Sequence, residues 1–286
     1  MKEPILRTEN LYFRYPTREE YALRAINIEI FGGEFVAFIG QNGCGKTTLL
    51  KHFNGLLRPT QGKVFLYGQD TAGIPTCKLA SKVGYVFQNP DHQIFADTVR
   101  EEIAFGPKNL GFDQSHIESI TKDVLKAVGL EEYIDCPPFS LGKGQRQRLA
   151  IAAVLAMEPD ILIIDEPTTG QDWHESIQIM ELLRELNSQG HTIIITSHNM
   201  QLVSLYARRV VLMANGEIWM DGTPQRVFSD PDRLREVYIK APMLYQLAHR
   251  FCPNADLSRV VTPEDLADLL YDQIYACRPA SERGAV

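Results

Sequence analysis

Between residues 25 and 30 the chain alternates isoleucine with small or polar positions, Ala25-Ile26-Asn27-Ile28-Glu29-Ile30. That period of two predicts a half-buried strand. Gly32-Gly33 then turns the chain into Glu34-Phe35-Val36-Ala37-Phe38-Ile39, a continuous apolar run suited to a strand covered on both faces. After a glycine-rich stretch, Leu49, Leu50, Phe53, Leu56 and Leu57 recur at helical spacing, with Gly55 near the stop. From about 76 to 155 the pattern reads as mostly helical. Residues 117–128 are amphipathic, and 145–157 carry an apolar face after the break at Pro137-Pro138. Apolar strands are predicted again at 161–164, 192–196 and 210–213. Asn215-Gly216 ahead of Ile218-Trp219-Met220 predicts a type I′ hairpin. Asp221-Gly222-Thr223-Pro224 marks a boundary, and a helical tail follows in which Thr262 caps a helix with Pro263 at its first position.

The 286 residues suffice for one large α/β domain with an appendage, and no internal repeat or low-complexity segment interrupts them. With 44% hydrophobic and 23% charged residues, the composition excludes a disordered chain or a collagen-like repeat. A net charge of −7 supplies no global basic field, so no nucleic-acid partner is expected. The longest apolar run, 149–157, is about half the roughly 20 residues a membrane-spanning helix needs. No signal peptide is visible at the N-terminus. The five cysteines, Cys44, Cys77, Cys136, Cys252 and Cys277, form no C-x-x-C pair, and their spacing supports neither a disulfide framework nor a zinc site. The expected compartment is reducing and cytosolic.

Two segments carry chemistry. Gly40-Gln41-Asn42-Gly43-Cys44-Gly45-Lys46-Thr47 fits G-x-x-x-x-G-K-[ST] at every fixed position, between a predicted buried strand and a predicted helix. Its glycines let backbone N–H groups converge on an anion, and the helix N-terminus adds its dipole. Lys46 is a point charge for β- and γ-phosphates, and the Thr47 hydroxyl is a magnesium ligand. Downstream, Ile161-Leu162-Ile163-Ile164 ends in Asp165-Glu166. Two carboxylates at the end of a buried strand need a cation or a reacting water to justify them. Asp165 suits magnesium through its water shell, and Glu166 suits polarising an attacking water.

Gly144-Gln145-Arg146-Gln147-Arg148 opens a helix shortly before that strand. This pairing resembles the signature motif and Walker B of ATP-binding cassette (ABC) ATPases. Other pieces fall in the family's order. Gln88 after Val86-Phe87 resembles the Q-loop, Asp172 the D-loop, and His198 the switch histidine. Tyr15, 25 residues before Gly40, resembles the aromatic that stacks on adenine. Tyr12 competes for that role, and the spacing of three assigns one of the two to the core. The resemblance runs from about residue 5 to 225. It implies an α/β P-loop NTPase of ATP-binding cassette type, with an N-terminal antiparallel β part, a helical subdomain inserted at about 85–157, and a cassette domain spanning 1–225. Residues 226–286 would form a helical C-terminal extension.

The resemblance also implies the ligands and the division of labour. ATP and Mg2+ are the expected cofactors, with residues 40–48 (Thr48 included), Tyr15 and Gln88 around the nucleotide. Thr47, Gln88 and Asp165 would organise the metal. Lys46, Gln88, Glu166 and His198 would carry hydrolysis. The segment Gln88-Asn89-Pro90-Asp91-His92-Gln93-Ile94-Phe95, with Ala104-Phe105-Gly106-Pro107, is similar to energy-coupling factor (ECF) type ATPases. Those power uptake of vitamins or of cobalt and nickel. They work as homo- or heterodimers docked on a transmembrane coupling protein, beside a substrate-binding membrane subunit. A peripheral position on the cytoplasmic face of the cell membrane follows.

One departure from the family pattern stands out. The signature Leu-Ser-Gly-Gly-Gln reads Leu141-Gly142-Lys143-Gly144-Gln145 here. In this family one subunit's signature closes over ATP held by the other. Gly142 removes the hydroxyl that meets the γ-phosphate, and Lys143 is either a solvent-facing lysine at a helix start or a cation that offsets part of the loss. The change keeps a second reading open, a mainly regulatory ATP-binding subunit paired with an active paralogue. A third, a soluble ABC ATPase of translation or DNA repair, usually has two cassettes or a long coiled coil. The interval from Thr47 to Asp165 is too short for the latter.

Overall fold

The computed structural model describes residues 3–252 and 262–276; Cys277 and the remainder of the predicted tail lie outside them. Among the described residues, ten strands follow in chain order: β1 (Leu6–Phe13), β2 (Leu23–Ile30), β3 (Phe35–Gly40), β4 (Gln61–Leu66), β5 (Gln69–Asp70), β6 (Val83–Val86), β7 (Ile161–Ile164), β8 (Thr192–Thr196), β9 (Arg209–Ala214) and β10 (Glu217–Gly222). The helices are α1 (Lys46–Phe53), α2 (Thr76–Ala80), α3 (Val99–Leu110), α4 (Gln114–Val128), α5 (Lys143–Leu155), α6 (Trp173–Ser188), α7 (Met200–Tyr206), α8 (Pro224–Phe228), α9 (Pro231–Glu236), α10 (Met243–Phe251) and α11 (Pro263–Ala276).

Two sheets result. An antiparallel one runs β2-β1-β4-β5, and a mostly parallel one runs β10-β9-β3-β8-β7-β6. The alternation of side chains along β3 explains its unbroken apolar sequence. Phe35, Ala37 and Ile39 face the helical layer, with α3 to α8. Val36 and Phe38 face the other way, onto α1 and the antiparallel sheet. A strand covered on both sides leaves no position for a polar residue. In β2 Leu23, Ile26, Ile28 and Ile30 are buried and the residues between them exposed, so its sequence alternates from Ile26 on.

The Asn215-Gly216 hairpin forms as expected, with φ of 51° and 80° at its centre and Ala214 opposite Glu217. Thr262 and Asp265 close a reciprocal capping box at the start of α11, each backbone N–H bonded to the other's side chain (2.7 and 3.2 Å).

One strand goes unread by the pattern and one expectation needs correction. The stretch 76–155 is mostly helical, as expected, but Val83–Val86 within it is a strand pairing in parallel with β7. Gly84 and Tyr85 interrupt the apolar run that marks a fully buried strand of this length. The first helix stops at Phe53: Gly55 takes φ 73°, and Leu56 is left 46% exposed beyond the helix end.

Apolar packing continues across residue 225. Phe228, Leu234, Val237, Ile239 and Tyr245 belong to the same buried cluster as the parallel sheet and its helices. Only Ala248 and Leu266 form a small cluster of their own. No helix among the described residues is long and apolar enough to cross a membrane.

Candidate nucleotide site

The carboxyl ends of β3, β6, β7 and β8 meet along one edge of the parallel sheet, where ligands of open α/β sheets bind. The loop after β3 wraps around the start of α1. Gly40 takes φ 147°, and a Cβ there would lie 2.3 Å from the Met213 carbonyl oxygen. Gly45 takes φ 108°, with Ala22 O 2.8 Å from where its Cβ would be. Only glycine fits this tight a loop. Lys46 is buried, and its ammonium donates to the carbonyls of Gly40 (2.8 Å) and Gln41 (2.9 Å). No carboxylate among the described residues pairs with it, so an anion in the loop would meet an unneutralised cation. Cys44 is buried beside it, and burial pushes its thiol pKa up despite the nearby ammonium.

Asp165 is 4% exposed and is satisfied entirely by hydroxyls. Thr47 donates at 2.8 Å and Tyr85 at 3.0 Å to Oδ2, and Thr196 at 2.5 Å to Oδ1. Burial, and then the Asp165 charge, drives the Tyr85 phenol well above its ordinary pKa, so it remains a donor. Glu166 follows with φ 49°, a left-handed conformation that costs a non-glycine residue roughly 1–2 kcal/mol. Its backbone N–H is held by Thr196 Oγ1 at 2.8 Å. Its carboxylate accepts from Gln88 Nε2 (2.9 Å) and Thr169 Oγ1 (2.7 Å), and Oε1 lies 2.8 Å from His198 Nε2. Three segments, at 88, 166–169 and 196–198, thus meet at Glu166.

These groups border a cleft of about 820 Å³, lined by Lys46, Thr47, Thr48, Gln88, Glu166 and His198 and also by Tyr15 and Arg18. The donor set suits a hard cation. It offers hydroxyl, amide and carboxylate oxygens with a single buried aspartate, and no cluster of three His, Cys, Asp or Glu side chains exists among the described residues. Mg2+ commonly takes one or two carboxylates and leaves its other positions to phosphates and water.

Tyr15 lines the cleft, with its hydroxyl 3.0 Å from Thr48 Oγ1. Tyr12 instead packs edge-on against Tyr21 (5.5 Å between centroids). The expectation that one of them belongs to the core fails. Both are half-buried, and Phe13 between them is the core residue; β1 ends at Phe13, so strand alternation does not extend to Tyr15.

Leu141–Gln145 does not border this cleft. Gly142 caps α5 and its N–H donates to Gln145 Oε1 (2.8 Å). The Lys143 ammonium lies over Gly170, where a Cβ would come within 2.2 Å of it. Asp172 caps α6 through the N–H of Glu175 (2.8 Å).

Sequence reasoning missed Tyr85, Thr169 and Thr196. Thr196 alone left a signal, a hydroxyl closing the otherwise apolar run 193–195. Thr196→Val keeps the shape but strips a donor from Asp165 and an acceptor from Glu166. A loss of about 1–3 kcal/mol in unfolding free energy is expected by urea denaturation, with Thr196→Ser close to wild type.

Comparison with known proteins bears on this geometry. The sequence profile described as ABC transporter matches residues 23–169. The energy-coupling factor transporter ATP-binding protein EcfA of Methanocaldococcus jannaschii is 45% identical over 247 residues, covering 85% of this chain and 88% of that protein. A relative in Caldanaerobacter subterraneus subsp. tengcongensis, provisionally named an ABC transporter ATP-binding protein, is 49% identical over 229 residues. The match covers 80% of this chain but only 40% of that longer protein. Among solved structures, CbiO1 of Clostridium perfringens, part of the ABC transporter complex CbiONQ, superposes with a TM-score of 0.75 at 37% identity, covering 87% of this chain and 100% of that one. A dimeric ATP-binding cassette, MJ0796, bound to ADP and phosphate superposes with a TM-score of 0.70 at 29% identity, covering 77% and 98%. With the phosphate loop, the paired carboxylates and the histidine brought to one cleft, the chain belongs to the ABC transporter family as one of its ATPase cassettes.

Proposed function

We propose that this chain is the ATP-hydrolysing subunit of an ECF-type importer, acting on a vitamin or transition-metal ion through a separate membrane coupling protein. The observation that carries the ATPase part is the convergence of Gln88, Thr169 and His198 on Glu166, beside Lys46 and Thr47. In this reading the loop amides and Lys46 hold phosphate charge, and Tyr15 faces the base. Glu166 takes a proton from the attacking water, and His198 steadies the γ-phosphate from the other side. Thr47, Gln88 and Asp165 form the donor set for Mg2+, which when bound neutralises charge on the β- and γ-phosphate oxygens. The protein forms no covalent bond to phosphorus, so catalysis rests on positioning and electrostatics.

Transport coupling is supported by the names of the relatives and by one surface. The loop after Gln88 presents Phe95 (60% exposed) edge-on to Phe105, with ring centroids 4.7 Å apart. Buried Glu102 pins that loop by accepting from the N–H groups of Phe95 and Ala96 (3.0 and 2.9 Å). A rigid, exposed aromatic pair is the kind of patch that marks a docking site. The signature's distance from its own cleft supports action on a second cassette, in a homo- or heterodimer. The altered signature favours a paired subunit with an unaltered one.

Affinity purification of the chain from detergent-solubilised native membranes, with mass spectrometry of what co-purifies, tests the assignment. A polytopic membrane protein, with or without a second cassette, is the expected companion. Recovery of ribosomal or repair proteins alone would overturn the transport assignment and leave the ATPase chemistry standing.

A further inference from the structure

The phosphate loop is tied to the C-terminal part of the chain by a contact outside the chemistry described so far. Helix α9 ends at Glu236, and the backbone closes it with two bonds: Tyr238 N–H to Arg235 O and Ile239 N–H to Leu234 O, both 2.9 Å. This is the Schellman arrangement, whose left-handed position usually belongs to glycine. Here Tyr238 occupies it with φ 54°, a costly conformation for a tyrosine, and its side chain is 85% exposed. Leu234, Val237 and Ile239 are buried in the main core, so the turn is held in place from beneath. The carbonyl of Val237 sits at the helix cap and receives no bond from within the helix. It accepts instead from Gln41 Nε2 at 3.1 Å. Gln41 is the first residue after Gly40 in the phosphate loop, and its own carbonyl receives Lys46 Nζ at 2.9 Å. A chain of contacts therefore runs from the turn through Gln41 to the ammonium. The same segment continues along the site, since Lys240, Ala241 and Pro242 border a second cleft shared with Glu166 and His198.

We infer that Gln41 is a positioning residue that latches the phosphate loop to the turn 237–239, so that the C-terminal segment sets the loop's affinity for nucleotide. A strained, core-anchored turn whose cap carbonyl is completed by a loop glutamine is a fixed point for an otherwise glycine-rich loop. The inference rests on the reading of residues 40–47 as the phosphate site. Its first test is made without nucleotide, so the two stand or fall separately.

In the full chain, Gln41→Met removes the donor at nearly constant length on an exposed side chain. Amide hydrogen exchange is measured first without nucleotide. Residues 41–47 and, independently, Tyr238 and Ile239 are expected to exchange about 2- to 12-fold faster, the worth of one neutral hydrogen bond. Titration with trinitrophenyl-ATP then reads a comparable weakening. Tyr238→Pro cannot adopt the positive φ and displaces the Val237 carbonyl from the other side. The double variant is expected to bind no more weakly than Tyr238→Pro alone. Unchanged exchange at Tyr238 and Ile239 in Gln41→Met, or affinity losses that multiply in the double variant, would overturn the latch.

Discussion

Glu166→Gln is expected to keep ATP binding within a few-fold of wild type while slowing hydrolysis by about 10²- to 10⁴-fold, the range for removal of a general base. The substitution is conservative in shape. A glutamine oxygen can still accept from Gln88 and Thr169, which hold the carboxylate at 2.9 and 2.7 Å, and the backbone remains tied to Thr196. What disappears is the charge and the basicity, which nothing else in the cleft replaces, because Asp165 is buried and already engaged by three hydroxyls. Single-turnover phosphate release, measured beside nucleotide retention on the same sample, separates the two quantities. A rate within tenfold of wild type would show that the proton leaves the attacking water by another route.

Lys46→Met is expected to weaken binding of a fluorescent ATP analogue by about 10- to 150-fold, the worth of one charge-assisted bond. The ammonium now donates to the carbonyls of Gly40 and Gln41, contacts that organise the loop but leave its charge unneutralised. Removing a buried charge that no carboxylate balances carries little stability penalty. The thermal midpoint of the nucleotide-free variant should therefore stay within a few degrees, while ligand-induced stabilisation is largely lost. Undiminished affinity would transfer the phosphate-binding role to the backbone amides alone.

The linear pattern revealed most of the fold where one physical cause dominated. β3 and β7 were legible because both faces are buried, and the Asn215-Gly216 hairpin because few residue pairs tolerate two positive φ angles. β6 was not legible, since Val83-Gly84-Tyr85-Val86 is as fully buried as β7 but Gly84 and Tyr85 break the apolar run. In the site, Lys46, Thr47, Asp165 and Glu166 announce themselves by motif. Tyr85, Thr169 and Thr196 do not, because a hydroxyl's role depends on what folding sets opposite it. The left-handed backbone at Glu166 and the tyrosine in the glycine position at 238 were equally silent, since a core and a sheet impose them against local preference.

The order of strands in the parallel sheet also governs how this protein is made. β3, which launches the phosphate loop, lies between β8 and β9, with Phe35 opposite Ile193 and Val36 opposite Arg209. Neither neighbour exists until more than 150 further residues have been synthesised, which takes roughly 8–30 s at ordinary elongation rates. Through that interval the apolar run of β3 has no lateral partner in the parallel sheet, and its ladder closes only by very long-range contacts, which form slowly. The nascent chain therefore spends much of its synthesis with this apolar strand unpaired in the parallel sheet. A chaperone that shields residues 35–39 until the last third emerges would raise the yield of folded protein without altering its stability.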